Sequence, residues 1–188
     1  ILAACYNPEN YSLEPFPSLI PMPKKVKVTE GVFNLNNNTS LYVDKEFMNA
    51  GEFLVNYIEN GSAFKLKKSS EEKAAVVIKK NDTLSPEGYT LKVLGSEILI
   101  DAKDASGAFY AIQTLRQLMP LQLEKNNGFQ EKTISIPQAI IEDNPAFNYR
   151  GMHLDVGRHF FPKEVIKKYI AHMAMLKMNY FHWHLTED

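Results

Sequence analysis

The sequence predicts two units, an α+β domain with an antiparallel sheet and two helices, then the first βαβ unit of a truncated (β/α)8 TIM barrel. Over 18–142, short β-branched runs and two helical patterns alternate with turn residues. The turn signal Asp143-Asn144-Pro145 then marks a boundary. After it, 143–188 contains an apolar strand, an amphipathic helix and a second apolar strand.

Local signals predict the elements of the first unit. The segment 25–35 predicts a hairpin that turns at Glu30-Gly31. Helical spacing predicts one helix that ends at Asn60-Gly61 and another that stops at Pro120. Pro137 predicts an edge strand or a bend in the last extended segment. The predicted helices cover 45–59 and 104–119, and the other predicted strands are 41–43, 74–79, 88–94, 97–101 and 132–141. Nothing here resembles a metal site, a nucleotide loop or a nucleophile motif, so a structural role is expected.

The second unit shows the pattern of a parallel sheet. Residues 149–156 form a near-continuous apolar run, typical of a strand buried on both faces. Pro162 suits the first turn of the following helix, and 179–185 forms a second apolar strand. Such βαβ units are parallel and right-handed. Because one unit cannot bury its own faces, we expect further strands after Asp188.

Composition excludes several classes of protein. The 188 residues are 45% hydrophobic and 23% charged, as in ordinary globular proteins rather than disordered ones. A formal net charge of −1 argues against a nucleic-acid partner. No apolar run is long enough to span a bilayer.

The single cysteine, Cys5, rules out an internal disulfide. The run Leu2-Ala3-Ala4-Cys5 resembles a bacterial lipobox, and a polar, proline-containing stretch follows it. We therefore expect 1–17 to be a lipoprotein signal remnant and tether, with Cys5 lipidated. The lipid would be the protein's only membrane contact, in the bacterial cell envelope. A chance Ala-Ala-Cys near a chain terminus is the alternative.

The ends of the two apolar strands carry the candidate site. Active sites of such barrels form at the carboxyl ends of the strands. Arg158 and His159 directly follow the first strand, and Glu187 and Asp188 follow the second, so we expect all four on one rim. A guanidinium offers planar donors suited to sugar hydroxyls or carboxylates. Arg150 lies at the opposite, stabilising end of its strand, where we expect a structural ion pair.

Two linked motifs, YRGMHLDVGRHFFP and NYFHWHLTED, resemble the start of the catalytic barrel of glycoside hydrolase family 20, the β-N-acetylhexosaminidases. The resemblance covers 144–188, and the preceding α+β domain is similar to the family's bacterial members in architecture. It implies substrate-assisted, retaining hydrolysis of terminal non-reducing N-acetylhexosamine residues. The implied partners are glycans ending in N-acetylglucosamine or N-acetylgalactosamine, and no cofactor is implied.

The resemblance also implies roles for single residues. Arg158 matches the arginine that binds hydroxyls of the terminal sugar. Glu187 stands where the family commonly has an aspartate beside the same subsite, and it is one methylene longer. Asp155, His159 and Asp188 match positions that support these ligands. The family's catalytic Asp-Glu pair follows a later strand, so we expect no catalytic residue in these 188 residues and no activity from them alone.

Two other classes of function stay open. His182 and His184 alternate along one strand face, as ligands do in metal-dependent barrel hydrolases. No third ligand is evident and His153 has no evident partner, so packed, hydrogen-bonded histidines are the preferred interpretation and no metal is expected. Trp183, on the opposite face, is expected to pack in the core or against a helix. A non-catalytic carbohydrate-binding lipoprotein is the other alternative.

Overall fold

Seven strands form one sheet in the first part of the computed structural model, which describes residues 18–186. The predicted sites Cys5, Glu187 and Asp188 lie outside the described residues. The strands are β1 Lys25–Leu35, β2 Ser40–Val43, β3 Lys67–Lys68, β4 Val76–Lys80, β5 Tyr89–Val93, β6 Ile98–Ala102 and β7 Ile134–Asp143. Their order across the sheet is β1-β7-β5-β6-β4-β2-β3. With the two helices described next, they make up what we call the sheet unit.

Both helices of the sheet unit contribute to one core. α1 is Met48–Gly61, preceded by a 3-10 turn, and α2 is Ala105–Leu118. The side chain of Asp104 caps α2 by accepting a hydrogen bond from the Gly107 N–H. Alternate residues of β5 and β6 are fully buried, which gives the sheet one dry face. Fully buried core side chains include Leu54, Ile58, Leu91, Ile100, Ile112 and Leu115.

The sheet is mixed, so the prediction of an antiparallel sheet was wrong. β1, β7, β5 and β6 are antiparallel neighbours, whereas β6, β4, β2 and β3 pair in parallel. α1 lies between β2 and β4 in the chain and returns it to the same end of the sheet, which makes those strands parallel. The sequence signals predicted strands at every observed position except the short β3, but not which strands pair.

The predicted hairpin at Glu30-Gly31 was also wrong. Both halves of β1 pair with the same strand β7, with Val28 opposite Ala139 and Val32 opposite Pro137. The register shift between these pairs is a bulge, and Gly31 adopts φ 105° within it. A turn-like dipeptide therefore bends one strand instead of reversing the chain. β7 is an inner strand, but its pairing with β5 begins only at Ala139, so Pro137 lies beyond that ladder.

The predicted strand–helix–strand unit follows the sheet. It consists of β8 Gly151–Asp155, α3 Lys163–Met175 and β9 Tyr180–His184, which we call the βαβ unit. β8 and β9 pair in parallel, from Gly151 opposite Tyr180 to Asp155 opposite His184. Within residues 18–186 they form a two-stranded sheet of their own. No helix in this described range is long and apolar enough to cross a membrane.

Candidate functional site

A tight turn at the carboxyl end of β8 holds the predicted residues Asp155 and Arg158 together. Asp155 Oδ1 accepts hydrogen bonds from the backbone N–H of Gly157 at 3.0 Å and of Arg158 at 3.1 Å. Its Oδ2 lies 3.4 Å from Arg158 Nε. The backbone N–H of Arg158, with the nearby charges of His184 and Arg158, holds the pKa of Asp155 below its ordinary value. The turn thus keeps an ionised carboxylate beneath the arginine, whose side chain is 76% exposed.

The end of β9 lies beside this turn. The Val156 N–H donates to the His184 carbonyl at 3.0 Å, which extends the ladder one residue past β8. A Cβ built on Gly157 would lie 3.5 Å from the Thr186 backbone. Thr186, the last described residue, therefore lies next to Gly157, the residue before Arg158, and Glu187 and Asp188 lie outside the described part. His159 stacks edge-on against Phe161, with ring centroids 5.0 Å apart.

Three histidines cluster on one face of the two strands. His153 is the register partner of His182, and their rings stack with centroids 4.5 Å apart. His184 lies edge-on to His153 at 6.1 Å, and the nearest ligand atoms of all three lie within 4.8 Å of one another. The expectation that His153 has no partner was wrong. Aligning the predicted strands from their starts, 149 and 179, would have placed it opposite Trp183, and only the observed register of Gly151 opposite Tyr180 brings it to His182.

The other face of β9 is aromatic and lies toward α3. Phe181 and Trp183 stack at 5.8 Å, and Phe181 lies 5.7 Å from Tyr169 of α3. Trp183 therefore lies on the face opposite the histidines, as predicted, but it is 44% exposed, and its packing in a core or against a helix stays a prediction. The face that carries the three histidines is therefore the polar side of the βαβ unit.

Arg150, at the start of β8, forms the predicted structural ion pair. Its Nη1 donates to Glu87 Oε2 at 2.9 Å, and its Nη2 donates to the Tyr110 hydroxyl at 2.8 Å. Both partners belong to the sheet unit. The guanidinium is therefore committed to a contact between the units, far along the strand from Arg158.

A buried lysine that the sequence did not predict lies next to Arg150. Lys177 is 6% exposed, with its Nζ 3.0 Å from Asp143 Oδ2 and 2.8 Å from the Tyr89 hydroxyl. Burial lowers the pKa of Lys177 and raises that of Tyr89, while the Asp143 carboxylate opposes the first shift and adds to the second. The available signal was a single lysine inside the apolar run Met175-Leu176-Lys177-Met178.

Models of two protein-family domains match this chain. The model described as glycosyl hydrolase family 20, domain 2, matches residues 16–144. The model described as glycosyl hydrolase family 20, catalytic domain, matches residues 147–188. The turn at Asp155 and the histidine cluster both lie in the second match.

Curated relatives and solved structures agree with this match. A beta-hexosaminidase of Porphyromonas gingivalis is 36% identical over 177 residues, which cover 91% of this chain and 23% of that protein. A beta-hexosaminidase of Vibrio furnissii is 32% identical, covering 91% of this chain and 26% of the relative. The chain thus spans about a quarter of the length of these curated relatives.

Two solved structures illustrate the similarity in fold. The GH20 exo β-N-acetylglucosaminidase of Vibrio harveyi, solved with N-acetylglucosamine, superposes with a TM-score of 0.79 at 33% identity. That match covers 90% of this chain and 26% of the other. The N-acetyl-β-hexosaminidase of Streptomyces plicatus, in complex with thio-NAglucal, gives a TM-score of 0.81 at 30% identity. It covers 90% of this chain and 34% of that one.

Proposed function

Because the chain belongs to glycosyl hydrolase family 20, we propose that the whole protein is a β-N-acetylhexosaminidase. It removes terminal non-reducing N-acetylglucosamine or N-acetylgalactosamine residues from glycans. Support comes from the relatives named beta-hexosaminidase and from the N-acetylglucosamine held by the Vibrio harveyi enzyme.

The observation that carries the proposal is the turn at the end of β8. Asp155 accepts two backbone N–H groups and lies against Arg158 Nε, so the arginine is held at its base while its side chain is 76% exposed. A guanidinium fork donates two parallel hydrogen bonds, which suits neighbouring hydroxyls of a sugar ring. In the proposed site Arg158 binds the terminal sugar, Glu187 lies at the same subsite, and Asp155, His159 and Asp188 support them.

The proposed reaction uses the substrate's own 2-acetamido group. Its carbonyl oxygen bonds to the anomeric carbon while the bond from that carbon to the leaving oxygen breaks, and a glutamic acid protonates the leaving oxygen. Water then opens the cyclic intermediate, which retains the anomeric configuration. We assign the glutamic acid, and an aspartate that orients the acetamido group, to a later strand of the catalytic domain. The residues of this chain bind and orient the sugar.

We extend the proposal to architecture and location. The βαβ unit is the first of a (β/α)8 barrel, supported by the parallel pairing of β8 and β9 and by their exposed apolar side chains. Cys5 carries a lipid that anchors the protein in the bacterial cell envelope, supported by the Leu2-Ala3-Ala4-Cys5 motif. Loss of the protein from the membrane fraction in a Cys5→Ser variant is the test of the anchor.

Replacement of Arg158 by lysine in the full-length protein tests the proposed activity. The wild type is expected to cleave an aryl N-acetylglucosaminide and not the matching aryl glucoside, which lacks the acetamido nucleophile. Arg158→Lys keeps the charge but loses the fork. Since a charged hydrogen bond contributes about 1.5–3 kcal/mol, kcat/KM should fall at least about tenfold at an unchanged melting temperature.

The matched control is Lys167→Gln, which removes an exposed cation from α3 of the same unit. It should leave kcat/KM and the melting temperature as in wild type. Equal turnover of both aryl glycosides would contradict the acetamido mechanism. Wild-type kcat/KM in Arg158→Lys would contradict the assigned subsite, and binding of the sugar without turnover would favour a carbohydrate-binding protein.

The histidine cluster supports a second candidate, a metal-dependent hydrolase. Three imidazoles with ligand atoms within 4.8 Å of one another are a donor set that zinc accepts. This candidate predicts that a chelator abolishes hydrolysis, that zinc restores it, and that His182→Ala removes bound zinc. The first proposal predicts hydrolysis that a chelator leaves unchanged, so one assay separates the two.

A further inference from the structure

Beside an apolar contact of α2 with α3, the sheet unit and the βαβ unit meet at a largely buried polar cluster, which we call the junction. The sheet unit contributes Glu87, Tyr89, Tyr110, Thr114 and Asp143, and the βαβ unit contributes Arg150 and Lys177. Nonspecific adhesion between two layers would use apolar side chains. A cluster of charges instead demands one geometry, since a misplaced buried charge loses its partners.

Lys177 is the most deeply buried charged residue of the junction. It is 6% exposed, and its Nζ lies within hydrogen-bond distance of both Asp143 Oδ2 and the Tyr89 hydroxyl. That hydroxyl in turn lies 2.7 Å from Thr114 Oγ1, in α2. The backbone of Lys177 has φ 59°, a left-handed value that is unusual for a lysine. These contacts tie the end of α3 to β5, β7 and α2 at a single point.

Arg150 links the same point to the start of β8. Besides Glu87 and Tyr110, its guanidinium donates to the backbone carbonyls of Lys177 at 2.9 Å and Phe147 at 2.7 Å. One side chain thus joins the sheet unit to the segments that precede both β8 and β9. The two residues are linked directly, because the Arg150 Nε–H donates to the Lys177 carbonyl.

The first pairing of β8 with β9 forms directly beside the junction. The Arg150 N–H donates to Asn179 Oδ1 at 3.0 Å, and the Asn179 N–H donates to the Arg150 carbonyl at 2.9 Å. Asn179 Nδ2 also donates to the Asn148 carbonyl at 2.8 Å. The register of the two strands is therefore set where Arg150 and Lys177 are held.

We propose that Arg150 and Lys177 are positioning residues, through which the sheet unit fixes the register of β8 against β9 and so places Asp155 and Arg158 beside the residues that follow β9. Successive strand residues point to opposite faces, so a slip of one residue would turn Asp155 away from its present neighbours. Five strand residues separate the junction from the Asp155 turn by roughly 15 Å, so it acts through the strands and touches no substrate. The catalytic part of this proposal rests on the proposed function.

Lys177→Met in the full-length protein is the test, with Lys25→Met as its matched control. Lys25 also pairs with a β7 carboxylate, Glu142 at 2.7 Å, but both side chains are exposed. Two quantities are measured well below the melting temperature: amide hydrogen exchange in peptides that span β8 and β9, with β5 and β6 for comparison, and kcat and KM on an aryl N-acetylglucosaminide.

We expect exchange in β8 and β9 of Lys177→Met to quicken at least about tenfold, because removing one partner of a buried pair leaves the other uncompensated. β5 and β6 should exchange as in wild type. KM should rise about fivefold or more while kcat changes less, since the sugar-binding arginine is displaced but the chemistry is elsewhere. Lys25→Met should change none of these quantities. If Lys177→Met does not fold, Asn179→Ala removes the strand-start contact and should show the same pattern.

Wild-type exchange in β8 and β9 together with a wild-type KM, even at a lowered melting temperature, would mean that the junction is only adhesive and would overturn the proposal. A uniform rise in exchange across β5 and β6 as well would overturn it too. If the wild-type protein does not cleave the aryl N-acetylglucosaminide, the proposed function fails, and the exchange measurement alone decides whether the junction sets the strand register.

Discussion

The sheet unit and the βαβ unit both contain strands with large apolar side chains, but they bury these side chains to very different degrees. In β6, Ile98, Ile100 and Ala102 are fully buried under the helices. In β9, Tyr180 and Trp183 are 53% and 44% exposed. An apolar run is sufficient to specify a strand, whereas its burial depends on a second layer from elsewhere in the chain. The described βαβ unit has one helix and a two-stranded sheet, so most of its apolar surface has no such layer.

The less buried βαβ unit nevertheless contributes a buried charged residue. The buried cation Lys177 belongs to the βαβ unit, and its partners belong to the sheet unit. The fully buried apolar core lies within the sheet unit, whereas the hydrogen bonds and ion pairs of the junction join the two units beside an apolar contact of α2 with α3. One region is stabilised by bulk apolar burial, and the other is positioned by a few specific contacts. Each of the following experiments tests that division.

Leucine truncations in the two units should give the largest contrast in the 188-residue chain. Leu115 is fully buried in α2, and Leu154 is partly exposed in β8. Leu115→Ala should lower the free energy of unfolding by about 2–5 kcal/mol, because it leaves a cavity in a closed core. Leu154→Ala should cost less than about 1 kcal/mol. Urea unfolding followed by far-ultraviolet circular dichroism measures both, and equal losses would show that β8 is as well packed as α2.

The same division explains which parts of the fold could be predicted. Both helices and the βαβ unit were predicted near their observed positions because caps, breakers and periodicity are local signals. The parallel pairing of β2, β4 and β6 was missed because partner choice depends on contacts between distant segments. Glu30-Gly31 was misread because a strand bulge and a hairpin turn both use a glycine with positive φ.

For the candidate site, too, residues with partners near in the chain could be predicted, and residues with distant partners could not. Arg158 was predicted from its place at a strand end and Asp155 from the family resemblance, and because they lie three residues apart one local turn brings them together. Lys177 and its partners were missed because Tyr89 and Lys177 are 88 residues apart in the chain. His153 lies between these cases, since only the register of two strands joins it to His182. The sequence therefore predicted residues that lie together on one element, but not the partners that a residue contacts on a second element.

Alkaline pH should lower the stability of the sheet unit and of the junction through two tyrosines, the buried Tyr89 and the partly buried Tyr57. Burial, with a nearby carboxylate adding to it, raises the pKa of Tyr89 at the junction and of Tyr57 in the sheet unit. An unfolded tyrosine ionises near about pH 10, so above that pH the unfolded state releases a proton that the folded state keeps. The unfolding free energy should then fall by up to about 1.4 kcal/mol per pH unit for each tyrosine.

Lys177 has the opposite sign. Its lowered pKa means that the unfolded state holds a proton that the folded state has released, so its contribution to stability rises with pH until about pH 10.4 and is constant above it. Because two tyrosines outweigh one lysine, the net fall should begin near about pH 10 and steepen as the contribution of Lys177 levels off. Urea unfolding between about pH 9 and 11.5 measures it, and Tyr89→Phe should make the fall shallower while the exposed Tyr149→Phe should not. A slope unaffected by Tyr89→Phe would place the alkaline sensitivity outside the junction.

Two glycine substitutions should give the smallest contrast, because they test single backbone positions. Gly31 in the β1 bulge has φ 105°, and a Cβ there would collide with the Gln138 side chain. Gly157, in the turn beside Arg158, has no left-handed φ, and its nearest Cβ contact is an ordinary 3.5 Å.

Gly31→Ala should therefore cost at least about 1 kcal/mol of unfolding free energy, from strain and the forced move of Gln138. Gly157→Ala should lie between no change and a gain of about 1 kcal/mol, since alanine restricts only the unfolded chain there. Urea midpoints of the two variants decide the matter. A larger loss for Gly157→Ala than for Gly31→Ala would mean that the site turn, and not the bulge of the sheet unit, is the more constrained backbone.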